Sequence, residues 1–568
     1  MPKIEVNERQ FFDLLGERYN AEQLDALLQT AKAELDEWKT EEGSDETRTI
    51  KIELNDTNRP DLWTTAGLAR QLRVKRTGKP PVYDFFSSSG VMKNTTRKVI
   101  VEESVRGPRP WLAGFIVSGM EVTDASLKDM IQTQEKLAWN FGRKRRTVSI
   151  GLYRTSIIQW PVLYKGVDPD SVSFVPLQET RSMTLRQILS DHPKGREYAF
   201  ILKDKPIHPL LADSRGSVLS YPPIINSADL GAVKVGDTDL FIEVTGTDMS
   251  SVCLTVSIMA CDLSDLGFTI EPVMVEYPFD TPFGRSPVFP YYFQEAVTVG
   301  ASRTAKLLGK AMSSEEVALA VRKMGNRAEI CGDDIIVFPA EYRNDFLHPV
   351  DIVEDVMIGM DMESFEPERP RDFTIGRLSP IEIFSRKAKR TMVGLGFQEM
   401  IYNYLGSRKD YADRMGIDPG SVVRISNPMT ENVEFVRNSP LPGLLGTESI
   451  SSTAAYPHRT CEVGKVAVKD ETENYGVSTR QTLGFMISHQ TANYNEASGN
   501  VATLFYYLGK EYRLVPSEDC RFIPGRQAGI FFGGMTIGVF GEIHPCVLEA
   551  WGITMPCIGG EINLDALL

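Results

Sequence analysis

Apolar positions recur with two different periods along this chain, and the changes of period mark its elements. Leu24, Leu27, Leu28 and Ala31 keep helical spacing behind a capping box of Asn20 and Gln23, and the acidic linker TEEGSDET closes that predicted helix. IKIEL alternates as a strand does. NDTNRPDLWTTAGLAR then runs through a loop, marked by Asn-Asp and Arg-Pro-Asp, into a further helix. From about residue 95 to 275, VIVEES, LAGFIVSGMEV, SVLSYPPIIN, TDLFIEVTGT and VCLTVSIMA are β-branched or alternating runs that predict strands, with LAWNFGRKRR ending a helix between them. Between about 290 and 365 the order becomes helix, a second helix capped by Ser313 and Glu316 and stopped at Gly325, then a hairpin turning at CGDD. SPIEIFSRKAKRTMVGLG opens the remainder as a helix, and FFGGMTIGVFGEI ends it as a Gly-turned hairpin.

These patterns predict a multidomain α+β protein, since 568 residues exceed what one core holds. The expected units are a small α+β domain over 1–85, a mixed α/β domain over 90–275, a winged-helix-like module over 290–365, and a helix-backed antiparallel sheet over 370–568. No apolar run approaches a membrane span and MPKIEVNERQFF lacks a signal-peptide core, so a cytoplasmic protein with no membrane partner is expected. Seven cysteines form no CxxC and no zinc spacing, which argues against disulfide frameworks and zinc sites. The net charge of −14 argues against diffuse nucleic-acid binding, yet GRKRR at 142–146, with Arg106 and Arg109, leaves a local basic surface available.

Charge is most concentrated in PAEYRNDFLHPVDIVEDVMIG. If Pro349 opens a helix, Asp351, Glu354 and Asp355 share one face at i, i+3 and i+4. Acids in a first turn complement the helix dipole without any ligand. Asp345 lies outside that helix, where the dipole gives no reason for it, and a loop carboxylate facing three helical ones suits a hard cation such as Mg2+.

NDTNRPDLWTTAGLAR, LSYPPIIN, LFIEVTGTD, HPVDIVEDV, ISNPMT, LPGLL, FIPGRQAGIFF and FGEIHP occur in an order that resembles the beta subunits of phenylalanine–tRNA ligases, of the archaeal and eukaryotic cytosolic type. The resemblance spans essentially the whole chain. It implies two alpha and two beta subunits, with ATP, phenylalanine and the class II catalytic motifs on alpha, and tRNA(Phe) as the macromolecular substrate. It makes 90–275 an editing domain of B3/B4 type, 290–365 a B5-type domain, and 370–568 a class II synthetase-like domain without catalytic motifs. The chain lacks a Phe-Arg-Xaa-Glu tetrapeptide and a GxxxxGK[ST] loop, in keeping with that division, so no catalytic residue for synthesis and no nucleotide ligand is expected here. Arg437 and Arg526 are read as packing or contact residues rather than phosphate ligands. Asp345, Asp351, Glu354 and Asp355 match the family's magnesium signature position for position. The segment IGMDM at 358–362 departs from the family's aromatic continuation.

A synthetase for phenylalanine must reject tyrosine, and a pocket that hydrogen-bonds the extra hydroxyl can hydrolyse the mistaken ester. Alternation in LFIEVTGTD puts Phe241, Glu243 and Thr245 on one strand face. Glu243 is the expected acceptor of the tyrosyl hydroxyl, and by similarity Leu211, Ser220, Asn226 and Thr245 complete the pocket. The same residues also read as a solvated strand face followed by a Ser-Tyr-Pro-Pro turn. No histidine or lysine is placed to activate Ser220, so attack by a bound water is expected. Arg154 stands where the family carries an aspartate. Two other functions compete: a stand-alone tRNA-editing or tRNA-binding protein, which would not need the C-terminal domain, and a winged-helix DNA-binding regulator, whose recognition helix EEVALAVRKMGNR begins with two glutamates and suits a major groove poorly.

Overall fold

The computed structural model describes residues 3–39, 48–55 and 58–568 and divides into two compact units, Met1–Glu368 and Arg369–Leu568. The expected linker TEEGSDET, at 40–47, lies outside the described residues. The architecture is mixed α+β with several separate sheets.

In the first unit, Lys3–Asn7, Thr49–Leu54 and Ala33–Trp38 form a three-stranded antiparallel sheet with Thr49–Leu54 in the middle. The Asn20–Gln23 capping box forms as expected, and Ala21–Leu28 buries Leu24 and Leu28. The helix Thr65–Thr77, started by the Thr64 side chain and stopped by Gly78 at φ 65°, is buried along most of its length. Its Arg70 donates to Asp265 at 2.8 Å and so ties it to the helix Met249–Asp265.

That second helix corrects the reading of VCLTVSIMA as a strand. Asp248 caps it by accepting from the Ser251 backbone N–H, and nearly every side chain from Val252 to Leu263 is buried. β-branched residues disfavour helix by only tenths of a kcal/mol each, whereas burying each such side chain stabilises by about 1.5–3 kcal/mol, so packing decides. A continuous apolar run also lacks the period that separates a strand from an inner helix.

The helix packs on a ten-stranded mixed sheet in which Leu240–Gly246 lies between Trp111–Ser118 and Val148–Arg154, antiparallel to both. All seven residues of this strand, second from one edge of the sheet, are buried, which removes the solvated-face reading of LFIEVTG. On the far side of the same sheet, His208–Ala212 pairs with Val218–Tyr221, which pairs with Ile225–Asn226. A smaller group follows in the order strand Val297–Gly300, helices Ala301–Leu308 and Ser314–Lys323, and hairpin Arg327–Cys331 with Asp334–Phe338. Ser313 and Glu316 form the expected capping box, and Gly332 at φ 70° makes the turn.

The second unit is a seven-stranded sheet, antiparallel apart from the short edge strand Gln398–Glu399. Alternation in Val477–Ser488 sends Leu483, Phe485 and Ile487 into one core with helices Pro380–Gly394 and Tyr494–Leu508, and Met486 into another with Leu441–Ile450 and Pro545–Trp551. Arg437 is buried and bonds both oxygens of Glu462 at 2.9 and 2.8 Å, so it packs the sheet; Arg526 is exposed and pairs with Glu542 at 2.7 Å. No helix among the described residues is long and apolar enough to cross a membrane.

Candidate functional site

The strand Leu240–Gly246 delivers Glu243 into a cavity of about 290 Å³ that Ser149, Lys194, Ser220, Asn226 and Arg145 also line. Glycines face Glu243 from both neighbouring strands: Gly114 on one side and Gly151 on the other. Gly151 is required, because a Cβ there would lie 2.0 Å from Tyr153 Oη and 2.6 Å from Glu243 Oε1. The space it leaves is filled by the Tyr153 hydroxyl, 2.8 Å from Glu243 Oε1 and 2.8 Å from Ser220 Oγ. A phenol has one proton, so donating it to the carboxylate leaves the Ser220 hydroxyl to donate in turn.

Glu243 Oε2 is buried with no hydrogen-bond partner. Burial raises the Glu243 carboxyl to about 7, against the smaller opposing effects of the Tyr153 hydrogen bond and the Arg109 charge. A neutral to ionised carboxyl at physiological pH, with one oxygen held and the other open, is suited to accept a hydroxyl proton.

Asn226 lies opposite Ser220 in the strand register, and Leu211 lies opposite Ser220 on the other side. Leu211 and Thr245 are buried behind the cavity wall rather than lining it. Thr245 accepts from Arg109 Nε at 3.0 Å and contacts Ser149 Oγ at 3.0 Å, so it orients the wall from inside. Ser220 gains no activating base: no histidine lines the cavity, and His208 is held by Tyr221 at 2.6 Å. Arg154 donates to the Asp229 carbonyl at 2.9 Å.

Arg109, grouped by sequence with the exposed cations, is buried. It bonds the Thr245 carbonyl at 2.6 Å and the Arg145 and Arg146 carbonyls at 3.2 Å, and desolvation lowers it to about 10. Tyr153 and this role of Arg109 escaped the sequence reading. Only the spacing Gly151-Leu152-Tyr153, which places a glycine beside a tyrosine on one strand face, hinted at the first.

The carboxylate cluster assembles, but not as an open cage. Pro349–Gly359 is a helix with Pro349 at its start, and Asp345, Asp351, Glu354 and Asp355 all line one cavity of about 20 Å³. Buried Arg343 stands between two of them, donating to both oxygens of Asp345 at 3.0 and 2.6 Å and to Asp355. Asp351 accepts the backbone N–H groups of Leu347 and His348 at 2.8 and 2.7 Å, and Glu354 pairs with Lys32 at 2.6 Å. Burial alone would raise Asp345, but the Arg343 guanidinium outweighs it and holds the carboxyl below its ordinary value. Among the described residues no group of three or more acid, histidine or cysteine side chains is disposed to hold a metal. As arranged, the four residues do not fit a magnesium cage, because arginine, lysine and backbone donors meet their charge. The departing segment IGMDM is engaged within the unit, where Lys75 pairs with Asp361 at 2.6 Å.

Comparison with known families places these units. Residues 368–564 match the phenylalanyl-tRNA synthetase beta chain CLM domain, 297–362 the tRNA synthetase B5 domain, and 1–77 the Phe-tRNA synthetase beta subunit B1 domain. The chain is 45% identical over 603 residues to the phenylalanine–tRNA ligase beta subunit of Treponema pallidum subsp. pallidum, covering 100% of both chains. It is 45% identical over 570 residues to that of Borreliella burgdorferi, again covering 100% of both. An N-terminal fragment of the phenylalanyl-tRNA synthetase beta subunit from Pyrococcus horikoshii superposes with a TM-score of 0.58 at 35% identity, covering 63% of this chain and 99% of the fragment. The fold and its matched segments are those of a subunit of an aminoacyl-tRNA synthetase. The chain belongs to the phenylalanine–tRNA ligase beta subunit family. These two curated relatives are bacterial, so they do not carry the expectation of an archaeal or eukaryotic type.

Proposed function

We propose that this chain acts with an alpha subunit, two copies of each, to attach phenylalanine to tRNA(Phe), with ATP and phenylalanine bound by alpha, and that its Glu243 cavity hydrolyses tyrosyl-tRNA(Phe). The observation that carries the editing part is Glu243 Oε2, buried without a partner in a cavity wide enough for a phenol. A tyrosyl hydroxyl would satisfy that oxygen, whereas a phenylalanyl ring would leave it unpaired. Water adds to the ester carbonyl, the bond from that carbon to the ribose oxygen breaks, and the ribose oxygen takes the proton. The chain contributes orientation, since Ser220 is held by Tyr153 and no histidine lines the cavity.

The domain names B3/B4 editing over 90–275 and class II-like over 370–568 belong to the same proposal, as does a cytoplasmic location. Likeness to the Pyrococcus horikoshii fragment supports an archaeal-type subunit. Magnesium at Asp345, Asp351, Glu354 and Asp355 in the assembled ligase is part of the proposal on the family signature alone, and it requires Arg343, Lys32 and the Leu347 and His348 N–H groups to give up their bonds to these acids. The test is deacylation of preformed tyrosyl-tRNA by the Glu243→Ala complex beside phenylalanine charging. Deacylation should fall roughly ten- to hundredfold with charging intact. Unchanged deacylation refutes the assignment of Glu243, and charging by the purified single chain refutes the division of labour with alpha.

A further inference from the structure

The Glu243 cavity does not end in a blind wall. Arg145 and Lys194 line both it and a second cavity of about 320 Å³. Lys136, Trp139 and Asn140 line that second cavity and also a third of about 1080 Å³. Three cavities sharing their boundary residues make one trough; Arg143 and Arg145 of the segment 142–146 line it, as do Glu135, Glu197 and Asp248.

This segment has an unusual backbone. After a π-helical turn over Leu137–Phe141, Arg143, Lys144 and Arg145 take φ of 49°, 56° and 64°, a left-handed run that side-chain-bearing residues avoid. It is held from within: the N–H groups of Lys144 and Arg145 donate to the Trp139 and Ala138 carbonyls at 2.8 Å, and buried Arg109 bonds the Arg145 and Arg146 carbonyls. Arg109 also bonds Thr245, two residues from Glu243, so the turn and the carboxylate share one anchor.

The side chains alternate cation and ring. Lys144 Nζ lies 5.1 Å from the centre of Trp139, and the guanidinium of Arg146 lies 4.8 Å from that of Phe200. Trp139 is 45% and Phe200 38% exposed. Arg145 spans the inner boundary, donating to the Pro223 and Ile224 carbonyls at 3.1 and 3.0 Å beneath its stack on Tyr198. None of Arg143, Lys144, Arg145 and Arg146 forms an ion pair with a carboxylate among the described residues. Arg145 faces Glu197 across the second cavity, which leaves Arg143, Lys144 and Arg146, three cations without ion-paired carboxylates on a chain of net charge −14, as a site for an anion, and interleaved exposed rings specify an anionic chain with flat groups.

We propose that the Gly142–Arg146 turn, with Trp139 and Phe200, docks the single-stranded 3′ end of an acylated tRNA, its phosphates on Arg143, Lys144 and Arg146 and a base on Trp139, so that the terminal ester passes Arg145 to reach Glu243. This rests on the editing reading and adds the route to the cavity. Contacts to phosphate and to base faces are sequence-tolerant, which suits an end whose identity is checked elsewhere.

The experiment uses the alpha–beta complex with tyrosyl-tRNA. Two variants remove charge without removing the turn: Arg143→Gln with Arg146→Gln, and Lys144→Asn, asparagine being suited to positive φ. A third, Trp139→Ala, lies outside the strained run. Each should raise the deacylation KM about tenfold while kcat at saturation and the KM for phenylalanine charging stay near wild type. The slope of log KM against log salt should fall by about 0.7 for each phosphate that no longer meets a cation. Unchanged deacylation KM and salt slope in the charge variants, or an equal rise in the charging KM, overturns the docking surface. Glu243→Ala is run alongside: if it deacylates like wild type, the pocket reading fails, whereas an inactive Glu243→Ala beside unaltered turn variants overturns only the route.

Discussion

Replacing Glu243 by glutamine should stabilise the protein at alkaline pH while removing editing. The carboxyl is moved from its ordinary 4.5 to about 7 because burial disfavours the charged form. Below 4.5 it is protonated in both states and costs nothing. Above that, the unfolded chain releases its proton while the folded one keeps it, so stability falls as pH rises until the folded group also ionises near 7. At 1.36 kcal/mol per tenfold, the full loss is about 3 kcal/mol, of which about 2 kcal/mol falls between about pH 5.5 and 8.5. Glutamine keeps the shape and has no proton to lose. The assay is urea-dependent hydrogen exchange of peptides from Leu240–Gly246 in the full chain, since a multidomain protein has no single unfolding transition. The advantage of Glu243→Gln over wild type should grow by about 2 kcal/mol between about pH 5.5 and 8.5, having begun to open just above pH 4.5. Parallel pH profiles would refute the claim that Glu243 is a strained acid facing the cavity, and retained tyrosyl-tRNA deacylation by the glutamine variant would refute its role as proton acceptor.

Three further expectations concern its neighbours and the carboxylate cluster. Tyr153→Phe removes the hydrogen bond that lowers Glu243, so the midpoint of tyrosyl-tRNA deacylation against pH should move upward; an unmoved midpoint would show that the phenol only fills space. Arg343→Met leaves Asp345 and Asp355 without their shared cation and should cost about 3–5 kcal/mol in urea unfolding of the first unit, and a loss under about 1 kcal/mol would mean the clamp is not what neutralises them. Asp351→Asn keeps a capping side chain, so stability without magnesium should change by under about 1 kcal/mol, whereas any magnesium-dependent rise in the melting temperature of the alpha–beta complex should shrink; an equal response in both proteins leaves Asp351 as a cap alone.

Local grammar in the chain settled a good deal by itself. The Asn20–Gln23 and Ser313–Glu316 caps, the helix opened by Pro349 and the hairpin turned by Gly533 and Gly534 form where residue type and spacing put them, because each depends on contacts within a few positions. The ordered motifs likewise pointed to the family. Tertiary structure decided what depends on partners distant in sequence. Met249–Asp265 is helical because burial on every side outweighs the β-branched propensity of its residues. Arg343, legible only as one cation two positions before Asp345, turned an expected metal cage into a salt-bridged cluster once folding set Asp355 against it. Arg109 looked like one more surface charge and became the buried tie between the basic turn and the strand of Glu243. Glu243 could be assigned to a strand face from alternation, but its raised proton affinity comes from the sheet that closes around it, and desolvation is a property of enclosure that no short stretch of sequence contains.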